Sequence, residues 1–136
     1  MDDWVRDALA TARVARLGTV DADGAVRLVP VCFAVVDGRL VSAVDHKPKR
    51  TGQLRRLDDM RSAGAATVLV DHYADDWSQL WWVRVRGRAD VLESGPDRDA
   101  AVDVLVDKYE QYREVRPAGA VWRVSMDELR WWRATP

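Results

Sequence analysis

Apolar positions follow two periods along this chain, and the changes between them mark the elements. Within residues 2–12, Trp4, Val5, Ala8, Leu9 and Ala12 recur at helical spacing and predict a short helix. From Arg13 the pattern turns to β. Val14–Val20 reads as a strand, Asp21-Ala-Asp-Gly24 as a hairpin turn, and Ala25–Val36 as the returning strand. Asp37-Gly38 turns the chain again into Arg39–Val44, so the first part predicts a three-strand meander. Pro30 lies inside the second strand and removes a ladder donor there. It predicts an edge, a bulge, or a place approached by something other than a strand.

Helical spacing resumes at Thr51–Arg61, with Leu54, Leu57 and Met60 expected inward, Arg55, Arg56, Asp58 and Asp59 outward, and Gly64 closing the helix. Ala66–Asp71 predicts a strand, His72–Ser78 a polar loop, and Leu80–Leu92 the longest strand. Trp81, Val83, Val85, Gly87, Ala89 and Val91 fall on one face of that strand, and Trp82, Arg84, Arg86, Arg88 and Asp90 on the other. After Ser94-Gly-Pro-Asp97, the stripe Val102, Leu105, Val106 and Tyr109 predicts an amphipathic helix, broken at Arg116–Gly119. Val121–Met126 and Leu129–Arg133 complete the strands. The reading is mainly antiparallel β with flanking helices, a small barrel, in one domain over residues 1–136.

Composition narrows the functions. With 48% hydrophobic and 32% charged residues the chain is built to bury a core. A net charge of -1 speaks against a nucleic-acid binder, which needs a basic stripe. One cysteine, Cys32, excludes an internal disulfide and suits a reducing, cytoplasmic setting; its apolar surroundings suggest a buried small hydrophobe. No signal peptide and no membrane-length apolar run is visible. His46 and His72 have no cysteine, histidine or acidic cluster at metal-ligand spacing, so no metal is expected, and His72 reads as structural. No serine elbow or cysteine–histidine pair offers a nucleophile. Any reaction is therefore expected to be borne by a bound cofactor.

The strongest chemical signal is Asp45-His-Lys-Pro-Lys-Arg-Thr51, a basic loop that ends a β-type run and feeds a helix. Lys47 and Lys49 supply point charges, Arg50 a fork, and Thr51 a hydroxyl, beside the free N–H groups of a first helical turn. That is an anion site suited to a phosphate, and His46 adjoins it. The bland alternative is a solvated turn. Arg84, Arg86 and Arg88 read first as a water-facing sheet surface paired to carboxylates.

The hairpin Arg16–Gly24, the strand Arg27–Phe33, the run Asp45–Arg50 and the block Val70–Arg84 together resemble the pyridoxamine-phosphate-oxidase-like flavin/deazaflavin family. Within it, the sequence is most similar to the F420-dependent oxidoreductases of actinobacteria. The resemblance implies a split β-barrel homodimer with cofactor sites at the subunit interface. It places the ring near Pro30, Val31, Ser42, Ala43 and Val44, the phosphate on Lys47, Lys49 and Arg50, and Tyr73 and Trp77 as the aromatics that cover the ring from the partner chain. Family members use coenzyme F420, FMN or haem. The cations around the loop favour the more acidic F420, with FMN the alternative. The implied function is hydride transfer to a conjugated small molecule, the alternatives being an FMN-dependent oxidase or reductase, or a binder of F420 or haem without turnover.

Overall fold

A computed structural model of the chain describes residues 1–44 and 50–135, with side chains in the second helix described from Arg55 onward. Eight strands form one antiparallel system in the order β2-β1-β5-β6-β7-β4-β3, with β8 also on β6. These are β1 Ala15–Val20, β2 Val26–Val31, β3 Ala34–Val36, β4 Arg39–Ala43, β5 Ala65–His72, β6 Trp81–Leu92, β7 Val121–Ser125 and β8 Glu128–Arg133. The helices are α1 Asp3–Thr11, α2 Arg50–Ala63, α3 Pro96–Lys108 and α4 Glu110–Glu114.

The two ends of the strand order, β2 and β3, are consecutive in the chain and joined only by Cys32 and Phe33. The sheet therefore curls back on itself, a barrel with a seam. This corrects the meander expected over residues 14–44: β2 pairs with β1, whereas β3 pairs with β4, on the far side of the seam. Alternation cannot reveal the break, because Cys32 and Phe33 continue the apolar run. Pro30 does sit on an edge strand, where a missing donor disrupts least.

The long strand β6 carries both halves of the barrel. Trp81–Arg88 pairs with β5, Trp81–Arg86 with β8, and Ala89–Leu92 with β7. Between Arg86↔Glu128 and Ala89↔Val124, β6 supplies two residues against the three of Ser125–Asp127, which makes a bulge. Gly87 is required there: a Cβ on it would lie 1.9 Å from the Ser125 carbonyl oxygen. Asp127 fills the gap by accepting from the Arg88 N–H at 2.9 Å and from the Arg88 guanidinium at 3.1 Å. Those bonds hold its carboxyl below the ordinary range.

Inside the barrel, Leu17, Phe33, Leu40, Val68, Val70, Val83, Val85 and Trp122 form the main core. α2 adds Leu57 and Met60 to it, and ends at Gly64, whose positive φ lets its N–H reach the Met60 carbonyl at 2.8 Å. Asp59, expected outward, is buried instead. Its carboxylate accepts from Thr19 Oγ1 at 2.9 Å and Arg27 Nε at 2.8 Å, which ties α2 to β1 and β2. Its partners are too distant in sequence for helical periodicity to see them.

The second core lies outside the barrel, where Ala101, Val102, Leu105 and Tyr109 cover Ala34, Val41 and Val121. Cys32 packs at its edge and is only partly buried. The expected single helix ends at Lys108, and α4 follows beyond Tyr109. This break serves the seam. The Tyr109 hydroxyl accepts from the Phe33 N–H at 3.0 Å and lies 3.1 Å from its carbonyl, and the Lys108 ammonium donates to that carbonyl at 2.9 Å. Both backbone groups of the linking residue are thus satisfied from one helix end. Burial lowers the Lys108 pKa to about 8, with Arg13 adding to the effect.

Candidate functional site

One outer face of the barrel is left bare by the helices. Residues opposite each other across antiparallel pairs share a face, so the registers define rows of neighbours. Pro30, Arg16, Leu69, Arg84 and Arg130 form one row, and Leu28, Gly18, Thr67, Arg86 and Glu128 the next. Asp71, Trp82 and Trp132 form a third at one end, and Val20 and Val26 pair at the other. The β2 end is apolar and the β6–β8 end is cationic and aromatic. Leu28 is 75% exposed and Val26 66%.

A cleft of about 720 Å³ lies over the apolar end, between Val20, Leu28, Pro30, Arg16 and Leu69. Gly18 keeps its floor low: a Cβ there would stand 3.3 Å from Leu28 Cδ2 and 3.6 Å from the Thr67 carbonyl oxygen. At Leu69 the cleft meets a smaller hollow of about 370 Å³ bounded by Asp71, Tyr73, Trp82 and Arg84. Asp71 Oδ1 is buried and has no hydrogen-bond partner among the described residues; Arg16 Nε stands 3.8 Å away. Arg84 lies over the Trp82 ring at 5.4 Å. Of the three arginines of β6, Arg88 takes the carboxylate pairing expected for the group, with Asp127.

The residues singled out in the sequence fall in three places. Pro30 borders the main cleft, while the neighbouring Val31 is buried in the core. On the other side of the seam, Ser42 is buried and pairs with Trp122, and Ala43 and Val44 are half-buried, with the Val44 N–H bonded to the Ala120 carbonyl at 2.9 Å. Tyr73 and Trp77 come together on the surface, Trp77 Nε1 donating to the Tyr73 hydroxyl at 3.3 Å, and each is 67% exposed. His46, Lys47 and Lys49 lie outside the described residues; Arg50 and Thr51 open α2, their side chains also outside them. In the sequence the basic run ends at Arg50, the first residue of α2. Sequence reasoning missed Gly18, Leu28 and Leu69 as cleft residues. Their signal was the alternation of β1, β2 and β5, legible only once the register is known.

Among the described residues no group of three or more histidine, cysteine or acidic side chains is arranged to hold a metal, and no helix is long and apolar enough to cross a membrane.

An antiparallel barrel with a seam and flanking helices is the split-barrel fold. The chain belongs to the pyridoxamine 5'-phosphate oxidase family, whose model matches residues 1–133. Among solved structures it is similar to the conserved hypothetical protein Rv2991 of Mycobacterium tuberculosis, with a TM-score of 0.79 at 18% identity, covering 98% of this chain and 85% of that one. It is also similar to a heme binding protein of Mycobacterium smegmatis, with a TM-score of 0.75 at 16% identity, covering 98% and 55%. A third is the flavocytochrome Anf3 of Azotobacter vinelandii, with a TM-score of 0.72 at 17% identity, covering 99% and 68%. At these identities the likeness is one of fold. No curated protein matches the chain.

Proposed function

We propose that this chain binds coenzyme F420 and acts as a reductase of a conjugated small molecule, as a homodimer whose bare faces meet. The reading rests first on the cleft. Its volume lies within the roughly 300–1,000 Å³ of small-molecule sites, and its mainly apolar lining suits a flat tricyclic ring. Asp71 Oδ1, buried with no hydrogen-bond donor among the described residues and Arg16 Nε 3.8 Å away, suits a ring edge that carries N–H groups. The described residues therefore fit a flavin-type group.

Pro30, Gly18 and Leu28 would form the wall against which the ring lies, and Lys47, Lys49 and Arg50, at the start of α2, would hold its phosphate. When bound, the reduced deazaflavin supplies the hydride. The protein's part is to orient the reactants and exclude water, since no side chain among the described residues stands as a dedicated acid or base. Leu28 and Val26, too exposed to be idle, would be covered by a second copy, with Tyr73 and Trp77 reaching towards the partner's ring.

The test is equilibrium binding of F420, FMN and haem, side by side, to cofactor-free protein. Selective, salt-sensitive binding of F420 that weakens at least tenfold in Lys49→Ala supports the reading. Selective FMN binding moves the function to the flavin branch. Haem binding, which the likeness to a heme binding protein makes worth including, would favour a carrier without turnover. Binding of none refutes a cofactor role.

A further inference from the structure

Four of the seven tryptophans converge at one end of the barrel, only Trp132 of them belonging to the rows of the bare face. Trp4 from α1, Trp81 from β6, and Trp131 and Trp132 from β8 line a separate cleft of about 800 Å³ at one end of the barrel, together with His72 and Arg133. Its walls are ring faces and edges. Trp4 and Trp81 meet edge to face at 6.1 Å, and His72 stacks on Trp81 at 6.2 Å with 20° between the planes. Trp4, Trp81 and Trp131 pack against the core but are only partly buried, so part of each ring stays open to the cleft. Trp132, moreover, is 45% exposed.

Among the described residues the cleft also holds one cation, Arg133. Arg61, Arg88, Arg116 and Arg123 each sit against a carboxylate. Arg133 has no carboxylate partner among the described residues; its guanidinium lies 5.0 Å from the centre of the Trp4 ring. Stacked on an indole, a guanidinium keeps its edge N–H donors free for a planar anion. Asp2, exposed at the rim, opposes a carboxylate on its own side, so the anionic end of a ligand belongs at Arg133. Ser78 and Gln79 add neutral hydrogen-bonding groups to the lining.

We propose that this tryptophan cleft is a second small-molecule site, which binds a planar, conjugated carboxylic acid with its ring system against Trp4 and Trp81 and its carboxylate on Arg133. The site shares Trp81, Trp132 and His72 with the hollow beside the main cleft, so its occupant neighbours whatever the main cleft holds. Only the assignment of that occupant as the molecule reduced rests on the F420 reading; binding itself does not.

The experiment titrates 1-pyrenecarboxylate and its neutral counterpart 1-pyrenemethanol against the cofactor-free full chain, read by quenching of tryptophan fluorescence. Saturable quenching is expected, with the carboxylate binding at least tenfold more tightly. Arg133→Gln, a surface change checked by circular dichroism, should abolish that preference and leave the neutral probe within twofold. Leu28→Ser, in the main cleft, should leave both affinities unchanged. No saturable quenching, equal affinity for the two probes, or a preference that survives Arg133→Gln overturns the proposal. So does loss of binding in Leu28→Ser, which would put the probe in the main cleft. Because no cofactor is present, failure here is distinct from failure to bind F420.

Discussion

The barrel has two outer faces, built from the same kind of alternating strand and treated in opposite ways. Over β3, β4 and β7, α3 lays down Val102, Leu105 and Tyr109, and the face becomes a second core. Over β2, β1, β5, β6 and the adjoining β8 no helix is laid, and Leu28, Val26 and Trp132 stay exposed. The covered face is where stability is added. The bare face holds the main cleft and an Asp71 carboxylate oxygen with no hydrogen-bond partner among the described residues, and the tryptophan cleft lies at the end of the barrel beside it. Substitutions should separate the two cleanly.

The largest effect is expected on the covered side. Leu105→Ala removes a fully buried side chain and should cost about 2–5 kcal/mol in urea unfolding. Leu28→Ser on the bare side should change the stability of the monomer by no more than about 0.5 kcal/mol, while shifting sedimentation towards monomer if the dimer forms as proposed. Similar losses at the two positions would erase the distinction.

Next comes the plug between them. Asp59→Ala leaves the buried Thr19 hydroxyl without its acceptor and Arg27 with Asp21 alone, and should cost about 1–3 kcal/mol, also by urea unfolding. Tyr109→Phe keeps the ring but removes the hydroxyl that bonds Phe33 across the seam. A loss of about 1 kcal/mol is expected, larger than for removing the exposed Tyr73 hydroxyl in the same assay.

The smallest effect is one of pH. The Lys108 pKa is lowered on folding to about 8, so between pH 8 and the ordinary lysine value the unfolded chain binds more protons than the folded one. The penalty of burying the ammonium is fully present below pH 8 and is relieved as pH rises. The Tyr109 pKa is raised, and its contribution turns the other way only above about pH 10. The melting temperature should therefore rise by ~2 °C from pH 7.5 to 9.5, allowing for solvent screening of a half-exposed group. In Lys108→Met that rise should be absent.

Much of the fold was legible in the sequence. The stripe of α3, the alternation of β6 and the stop at Gly64 are local patterns, and local patterns survive without tertiary knowledge. Two things were not. The seam at Cys32 and Phe33 interrupts pairing without interrupting hydrophobicity, and Asp59 is drawn inward by Thr19 and Arg27, which only the fold brings near. The site was legible only in part. Pro30 marked an edge, while the basic run was read as an anion site and lies largely outside the described residues. Nothing in the chain announced that Gly18, Leu28 and Leu69 would meet around one cleft, or that Trp4 would stand beside Trp81.

The seam also sets a timetable. Among the described residues β4 pairs with β3 and β7, with Ser42 opposite Trp122, and β6 is completed by β7 and β8. During synthesis, the strands up to Leu92 can pair β2 with β1, β1 with β5 and β5 with β6, but β3 and β4 must wait as an isolated hairpin until residues 121–133 have been made. Contacts of such long sequence separation fold slowly. The nascent chain meanwhile carries an unpaired β6 edge flanked by tryptophans, so its period of greatest exposure to aggregation falls just before the last strands arrive.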